Sequence, residues 1–189
     1  MTPRAVCVFC GSSAGANPAF ADAAAAVGSG LAARGVGLVY GGASIGLMGV
    51  VADAAIAAGG SATGVITEAL AGHEIAHGTL SELHVVTTMH ERKALMSSLS
   101  DAFAMLPGGF GTYEEFMEAL TWAQLGLHDK PCGILNVDGF FDDLLIFIGH
   151  AVEQGFIKAR HVEDLVVAKD PEELLDALVG PPRGQAPPR

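Results

Sequence analysis

The sequence is poor in basic residues. Its 189 residues include ten Lys and Arg against 21 Asp and Glu, which gives a formal net charge of -11. Nucleic-acid-binding surfaces need clustered Lys and Arg to neutralise phosphates, so this balance argues against binding to nucleic acid. Because cations are scarce, the adjacent pair Arg92 and Lys93 stands out.

Long apolar runs are also missing. No stretch approaches the eighteen or more uninterrupted apolar residues that a membrane-spanning helix needs, and the first residues lack the charged start, apolar core and small-residue cleavage site of a secretory signal. We therefore expect a cytoplasmic protein without a membrane-spanning segment.

Cysteine is rare, with only three in the chain. Cys7 and Cys10 have C-x-x-C spacing, but they lie in an apolar run, where positions three apart face opposite sides of a strand. This context favours buried, reduced thiols over a redox or zinc site. His73 and His77 lie four residues apart, but no further His or Cys cluster completes a ligand set, and no metal is expected.

Apolar runs of strand length alternate with helical stripes along the chain. This alternation predicts an α/β fold, a single-domain Rossmann-like doubly wound parallel sheet of about seven strands with helices on both faces. The predicted strands are 6–9, 37–40, 62–66, 83–86, 102–106, 133–137 and 165–168. The catalytic or binding domain would span 1–179, and the Pro- and Gly-rich tail 180–189 is predicted to be disordered. Asp138 is expected to cap the helix after the sixth strand, and residues 67–82 to form an irregular excursion.

Three glycine-rich turns, at Gly11, Gly41 and Gly108, follow predicted strands, so they could share one crevice at the carboxyl edge of the sheet. The most informative turn is 107–115, PGGFGTYEE. Its glycines allow a ligand to approach the backbone N–H groups at a helix start, which is a typical phosphate site. Thr112 and Glu115 also have the spacing of a helix capping box.

Two charged positions admit two interpretations each. Thr88 and Glu91 predict a capping box, which places Arg92 and Lys93 near the positive end of a helix dipole. They could be solvated beside Glu91 or could face a phosphate, and the scarcity of cations favours the phosphate. Glu115 could cap its helix, or it could activate water or stabilise an oxocarbenium-like state at a ribose. The residues alone leave both interpretations of Glu115 open.

The usual nucleotide and hydrolase motifs are absent: there is no G-x-G-x-x-G, no phosphate loop ending in Gly-Lys-Ser/Thr and no G-x-S-x-G. A pyridoxal enzyme would need a Schiff-base lysine. Of the four lysines, at 93, 130, 158 and 169, only Lys93 lies near the predicted site, so the sequence argues against this class. What remains is a phosphate-binding turn, the carboxylates Glu115 and Glu74, and the pair Arg92 and Lys93. These parts fit a nucleoside monophosphate.

Residues 89–93 (MHERK) together with 107–115 resemble the paired signature of the LONELY GUY family. This family comprises the cytokinin riboside 5'-monophosphate phosphoribohydrolases, long mislabelled as lysine decarboxylases. The resemblance extends over 10–13, 41–42, 46–49, 121–126, 130–131 and 136–139, and covers nearly all but the tail. It implies hydrolysis of N6-modified adenosine 5'-monophosphates, and of AMP as a further candidate substrate, to the free base and ribose 5-phosphate. No cofactor is implied. It also implies a homodimer whose site is partly completed near the subunit interface.

The resemblance assigns roles to residues at matching positions. Arg92 and Glu115 would be catalytic, with Glu115 as base or cation stabiliser, because arginine stays protonated. Substrate-binding residues would be Glu74, Lys93, Gly109, Phe110, Gly111, Thr112, Tyr113, Glu114 and Thr121. Further candidate contacts to phosphate or ribose are Gly11, Ser12, Ser13, Gly41, Gly42 and Met89. The alternative is a nucleotide-binding or carrier protein of the same fold, which would not require the pair of Arg92 and Glu115.

Overall fold

A seven-stranded parallel sheet forms the centre of the molecule. The structure is a computed structural model that describes residues 5–71 and 76–181. The strands are β1 Ala5–Phe9, β2 Gly37–Tyr40, β3 Ala62–Thr67, β4 Glu82–Val86, β5 Ala102–Met105, β6 Cys132–Leu135 and β7 Val166–Ala168. They lie in the order β4-β3-β2-β1-β5-β6-β7, and every pairing is parallel. The predicted doubly wound sheet is confirmed.

Helices cover both faces of the sheet. They are α1 Ala19–Arg34, α2 Gly46–Ala57, α3 Glu68–Ala71, α4 Met89–Ser98, α5 Phe110–Gln124, α6 Asp142–Glu153 and α7 Pro171–Val179. Side chains of α1, α2 and α7 pack into one core, and those of α4, α5 and α6 pack into the other. None of the helices in the described ranges has both the length and the apolar composition that crossing a bilayer requires.

Successive side chains of β1 and of the residue after it point alternately into the two cores. Cys7 belongs to the core under α4 and α5, whereas Val8 and Cys10 belong to the core under α1 and α2. All three cysteines are free and buried, and burial raises the pKa of each thiol. The prediction of buried strand thiols facing opposite sides is confirmed.

The strand order reverses between β1 and β5, and this switch point brings two of the glycine turns together. The Gly11 amide donates a hydrogen bond to the Pro107 carbonyl at 3.0 Å. A Cβ on Gly108 would lie 2.1 Å from Thr112 Oγ1 and 2.9 Å from the Gly11 amide nitrogen. Glycine is therefore required at 108 because the two turns and the start of α5 meet there.

One of the two predicted capping boxes exists. Thr88 Oγ1 accepts from the Glu91 amide, and Glu91 Oε2 accepts from the Thr88 amide, both at 3.1 Å. The box predicted for Thr112 and Glu115 is wrong, because α5 begins two residues before Thr112 and its N-cap is Gly109, which makes no side-chain cap.

The prediction that Asp138 caps a helix is also wrong. Asp138 lies in a turn with φ of 49°, and its carboxylate accepts a hydrogen bond from Asn17 Nδ2 at 2.8 Å. Asn136 provides the side-chain acceptor near the start of α6, where its Oδ1 accepts a hydrogen bond from the Phe141 amide at 2.7 Å. An Asn side chain satisfies a free backbone N–H as an aspartate would, so spacing alone pointed to the wrong residue.

The segment 67–82 is only partly irregular. It contains the short helix α3, and Ala76 forms an isolated antiparallel bridge with Ala43. Residues 72–75 lie outside the described ranges, and so do residues 182–189. The division into a domain ending at 179 and a disordered tail therefore stays a prediction.

Candidate active site

A cavity of about 240 Å³ opens at the carboxyl edge of the sheet, beside the switch point. The start of α5 forms one wall, and the first turns of α2 and α4 contribute others. The cavity is lined by Cys10, Ser12, Met48, Leu70, Met89, Arg92, Gly109, Phe110, Gly111, Thr112, Glu114 and Glu115.

The first turn of α5 has the geometry that can accept an anion. No side chain caps this helix, and a Cβ placed on Gly109 or Gly111 would meet no atom within 4 Å. The space in front of these glycines is thus left open to a ligand, with the backbone N–H groups of a helix start beside it. Such an arrangement binds phosphate through hydrogen bonds and through the helix dipole.

Arg92 is fixed in place at the base of the cavity. Arg92 is only 5% exposed. Nε donates to the Val65 carbonyl at 2.8 Å, Nη1 to Glu115 Oε1 at 2.5 Å, and Nη2 to the Gly41 carbonyl at 3.4 Å. A Cβ on Gly41 would lie 2.5 Å from Nη2. The interpretation of Arg92 as a solvated side chain is therefore wrong.

Glu115 lies inside α5 and turns its carboxylate toward Arg92 and the cavity. The side chain of Glu115 is 13% exposed. Burial raises the pKa of Glu115, and the Arg92 cation opposes this rise. The capping interpretation of Glu115 is wrong, because the N-cap of α5 is Gly109, six residues before Glu115. A carboxylate held by a fixed cation at a cavity can accept a proton from water or stabilise a developing positive charge.

Lys93 does not line the cavity. Its Nζ lies 2.5 Å from Glu114 Oε1 and 3.1 Å from Glu118 Oε1, so it bridges α4 and α5. Sequence reasoning missed Glu118. The available signal was its spacing of four residues from Glu114, which places both carboxylates on one face of α5.

Several predicted site residues lie away from this cavity. Tyr113 packs edge-on against Phe141, with ring centroids 6.2 Å apart. Thr121 donates its hydroxyl to the Met117 carbonyl at 2.7 Å, further along α5. Gly42 packs between β3 and Leu83 with φ of 80°.

The remaining predicted residues divide between neighbouring places. Gly41 lies behind Arg92. Gly11 and Ser13 line an adjacent pocket of about 290 Å³, which shares Ser12 and Gly109 with the cavity. Glu74 falls outside the described residues.

The structure pairs His77 with an acidic residue. His77 Nε2 lies 3.0 Å from Asp53 Oδ1. Within residues 5–71 and 76–181, no group of three or more His, Cys, Asp or Glu side chains is arranged to hold a metal ion.

Three cavity residues were not predicted: Cys10, Met48 and Leu70. Cys10 follows β1 directly, and Met48 is in the first turn of α2, so their positions at strand ends were available signals. Leu70 lies in the segment without clear periodicity, where the sequence carried no such signal.

The parallel sheet, the uncapped glycine turn and the buried ion pair define a Rossmann-like protein with an open helix start and a cavity beside its switch point. A family model described as "Possible lysine decarboxylase" matches residues 48–178. The chain belongs to this family, the LONELY GUY (LOG) family of cytokinin riboside 5'-monophosphate phosphoribohydrolases.

Relatives in plants are similar over most of the chain. The chain is 52% identical over 177 residues to the probable cytokinin riboside 5'-monophosphate phosphoribohydrolase LOGL2 of Oryza sativa subsp. japonica, covering 93% of this chain and 72% of that protein. It is 50% identical over 177 residues to the cytokinin riboside 5'-monophosphate phosphoribohydrolase LOG1 of Arabidopsis thaliana, covering 93% of this chain and 82% of that protein.

Solved structures share the fold at lower identity. The molybdenum cofactor binding protein from Rippkaea orientalis superposes with a TM-score of 0.69 at 22% identity, over 91% of this chain and 93% of that chain. At this identity the similarity concerns the fold alone.

Proposed function

We propose that this protein hydrolyses the N-glycosidic bond of N6-modified adenosine 5'-monophosphates, with AMP as a further substrate, releasing the free base and ribose 5-phosphate. The observation that carries the proposal is the Glu115 carboxylate, which faces the cavity beside the open first turn of α5 and is held by Arg92. The relatives named for this activity, about 50% identical to the chain, support it.

The reaction follows from this arrangement. The 5'-phosphate binds the N–H groups of residues 109–112, which brings the ribose toward Glu115. As the bond from C1' to the base nitrogen breaks, the carboxylate stabilises the oxocarbenium-like state and directs a water molecule to C1'. The water hydroxyl bonds to C1', and its proton leaves, in the net reaction, with the base. Arg92 stays protonated and orients Glu115.

We also propose a homodimer. Large apolar side chains are exposed on α5, directly after it and on α6. They are Phe110, which is 93% exposed, Leu125, Ile146 and Phe147. Thr121 lies on the same helix but outside the cavity of its own subunit. A second copy that covered these residues would bury the apolar surface and could bring Thr121 toward the neighbouring site. Light scattering on the purified protein tests this state, and a monomer at micromolar concentration would contradict it. Cytoplasmic location stays a prediction from the sequence.

The first experiment compares the protein with a Glu115→Gln variant. Each is incubated with N6-isopentenyladenosine 5'-monophosphate and with AMP, and the free base is followed by chromatography. Glu172→Gln is the matched control, because Glu172 also pairs with a buried arginine but lies far along the chain on α7. We expect base release by the protein and the control, and its loss in Glu115→Gln.

One result would reject this function and another only its mechanism. Tight nucleotide binding without base release by the unmodified protein would support the carrier alternative. Base release by Glu115→Gln at the rate of the unmodified protein would keep the hydrolase and remove Glu115 from the chemistry.

A further inference from the structure

The cavity has an apolar side that the proposed reaction does not use. Cys10, Met48, Leu70 and Met89 line it, and three of these four side chains carry sulfur. Met48 is 7% exposed, whereas Met89 is 43% exposed. This apolar wall, defined here as Met48, Leu70 and Met89, therefore runs from the depth of the cavity to its mouth.

The deep end of the apolar wall adjoins the ion pair. A Cβ on Gly41 would lie 2.8 Å from Met48 Sδ and 2.5 Å from Arg92 Nη2, so the sulfur and the guanidinium are neighbours above the same glycine. Met89 is three residues before Arg92 on α4, about one helical turn toward the opening. Leu70 projects from α3 and is partly buried.

The parts of the proposed substrate can be placed along the cavity in one order. Its phosphate occupies the start of α5, and the bond that breaks lies at Glu115 beside Arg92. The base is attached at that bond, so it must lie next to the pair, and the remaining wall there is apolar. A thioether is polarisable and flexible, and it makes favourable contacts with aromatic rings.

We propose that the apolar wall binds the base and that Met89 is a specificity-determining residue for the N6 substituent. This inference rests on the proposed function. The cavity of about 240 Å³ lies below the roughly 300–1,000 Å³ common for small-molecule sites. The nucleotide body fills such a space, and the N6 group reaches the mouth, where it rests on Met89 and Leu70.

A position at the mouth has a consequence for selectivity. Part of the N6 group stays in water, and Met89 can change its rotamer to fit groups of different shape. The protein therefore accepts several N6 substituents and AMP with modest differences in kcat/KM, because flexible apolar contacts discriminate weakly.

The test measures kcat/KM for N6-isopentenyladenosine 5'-monophosphate and for AMP in Met89→Ala and Met89→Leu. Leu99→Ala is the matched control, because Leu99 is a partly exposed apolar residue at the other end of α4 and does not line the cavity. We expect Met89→Ala to lower kcat/KM for the N6-modified nucleotide about tenfold. For AMP we expect a loss of less than about threefold, since AMP keeps the contact of the base with the wall and lacks only the N6 group that rests on Met89. Met89→Leu should restore most of the loss.

Product inhibition gives an independent readout. Met89→Ala should weaken inhibition by free N6-isopentenyladenine and leave inhibition by ribose 5-phosphate unchanged, because only the base contacts the wall. Equal losses for both nucleotides, no loss for either, or weakened inhibition by ribose 5-phosphate alone would overturn the inference. If the unmodified protein releases no base, the proposed function fails instead, so the two failures are distinguishable.

Discussion

Arg34 and Arg92 are both almost fully buried, yet only Arg92 faces a cavity. Arg34, at the end of α1, donates to the carbonyls of Gly30 and Gly180 and pairs with Glu172 and Asp176 of α7. It ties two helices together on the face of the sheet opposite α5. Arg92 makes a similar set of bonds, to two carbonyls and a carboxylate.

The carboxylates make the difference. The side chains of Glu172 and Asp176 are 60% and 51% exposed, so water stabilises their charges. The Glu115 side chain is mostly buried and meets the cavity, and burial raises its pKa. Burial of a cation therefore does not by itself mark a reactive site. Burial of its anion at a cavity does, because a shifted pKa prepares a carboxyl group for proton transfer.

The largest effect should appear when lysine replaces Arg92, and the same change at Arg34 is its comparison. Arg92→Lys keeps the charge but cannot reach Val65, Gly41 and Glu115 together, because an ammonium lacks the planar fork of donors. We expect kcat/KM for base release to fall by about 10²- to 10³-fold, in the range of a lost preorganised electrostatic group. Arg34→Lys should retain activity within about twofold, since its helices lie away from the cavity. Similar losses in the two variants would show that the comparison is wrong.

A change at Arg34 should affect the stability of the protein and not its activity. Arg34→Met removes charge-assisted hydrogen bonds between α1 and α7, and we expect the free energy of unfolding to fall by about 2 to 3 kcal/mol. The cost stays below that of breaking a fully buried pair because both carboxylates remain solvated. Urea unfolding measures it, and base release at low temperature should be unchanged. A loss of activity without a loss of stability would contradict this prediction.

Matched changes at two helix starts should have smaller effects. Thr88 caps α4, which carries Arg92, and Asp170 caps α7, which carries the partners of Arg34. Thr88→Ala and Asp170→Ala should each lower the free energy of unfolding by about 1 kcal/mol. Only Thr88→Ala should also lower kcat, because fraying of α4 displaces Arg92. Thermal unfolding of both variants measures the loss of stability, and base-release kinetics measure kcat.

The smallest effect concerns pH. Glu115 must be ionised to act as a base, so kcat/KM should rise with pH along an acid limb that lies above the usual range of a glutamate, because burial raises the pKa of Glu115. The negative charge of Glu114 raises this pKa further, and the positive charge of Lys93 lowers it. Glu114→Gln should therefore move the acid limb to lower pH, and Lys93→Met should move it to higher pH. A pH profile of kcat/KM for each variant measures the direction.

The sheet was predictable because buried parallel strands are continuous apolar runs separated by helical stripes. The boundaries of all seven strands agree with the prediction to within one residue or two. The capping predictions fared less well, since Thr112 with Glu115 and Asp138 have the right spacing but the wrong place in their helices. Spacing of two residues cannot tell where a helix begins when several glycines precede it.

The candidate site was predictable in its centre and not at its edge. Arg92 and Glu115 stood out because cations are rare and because PGGFGTYEE is a distinctive turn. The contact of Lys93 with Glu118 and the lining by Leu70 depend on how α3, α4 and α5 pack. Such contacts join elements far apart in sequence, and no local pattern specifies them.

The close packing of Arg92 and Met48 above Gly41 has a consequence for mutagenesis libraries. Arg92 and Met48 occupy the space that any side chain at position 41 would need. In a saturation library scored for activity, position 41 should thus tolerate as few amino acids as position 92, although it does not line the cavity. A ranking of positions by distance from the ligand would miss it. Libraries meant to alter substrate preference should keep Gly41 constant and vary the residues at the mouth of the cavity.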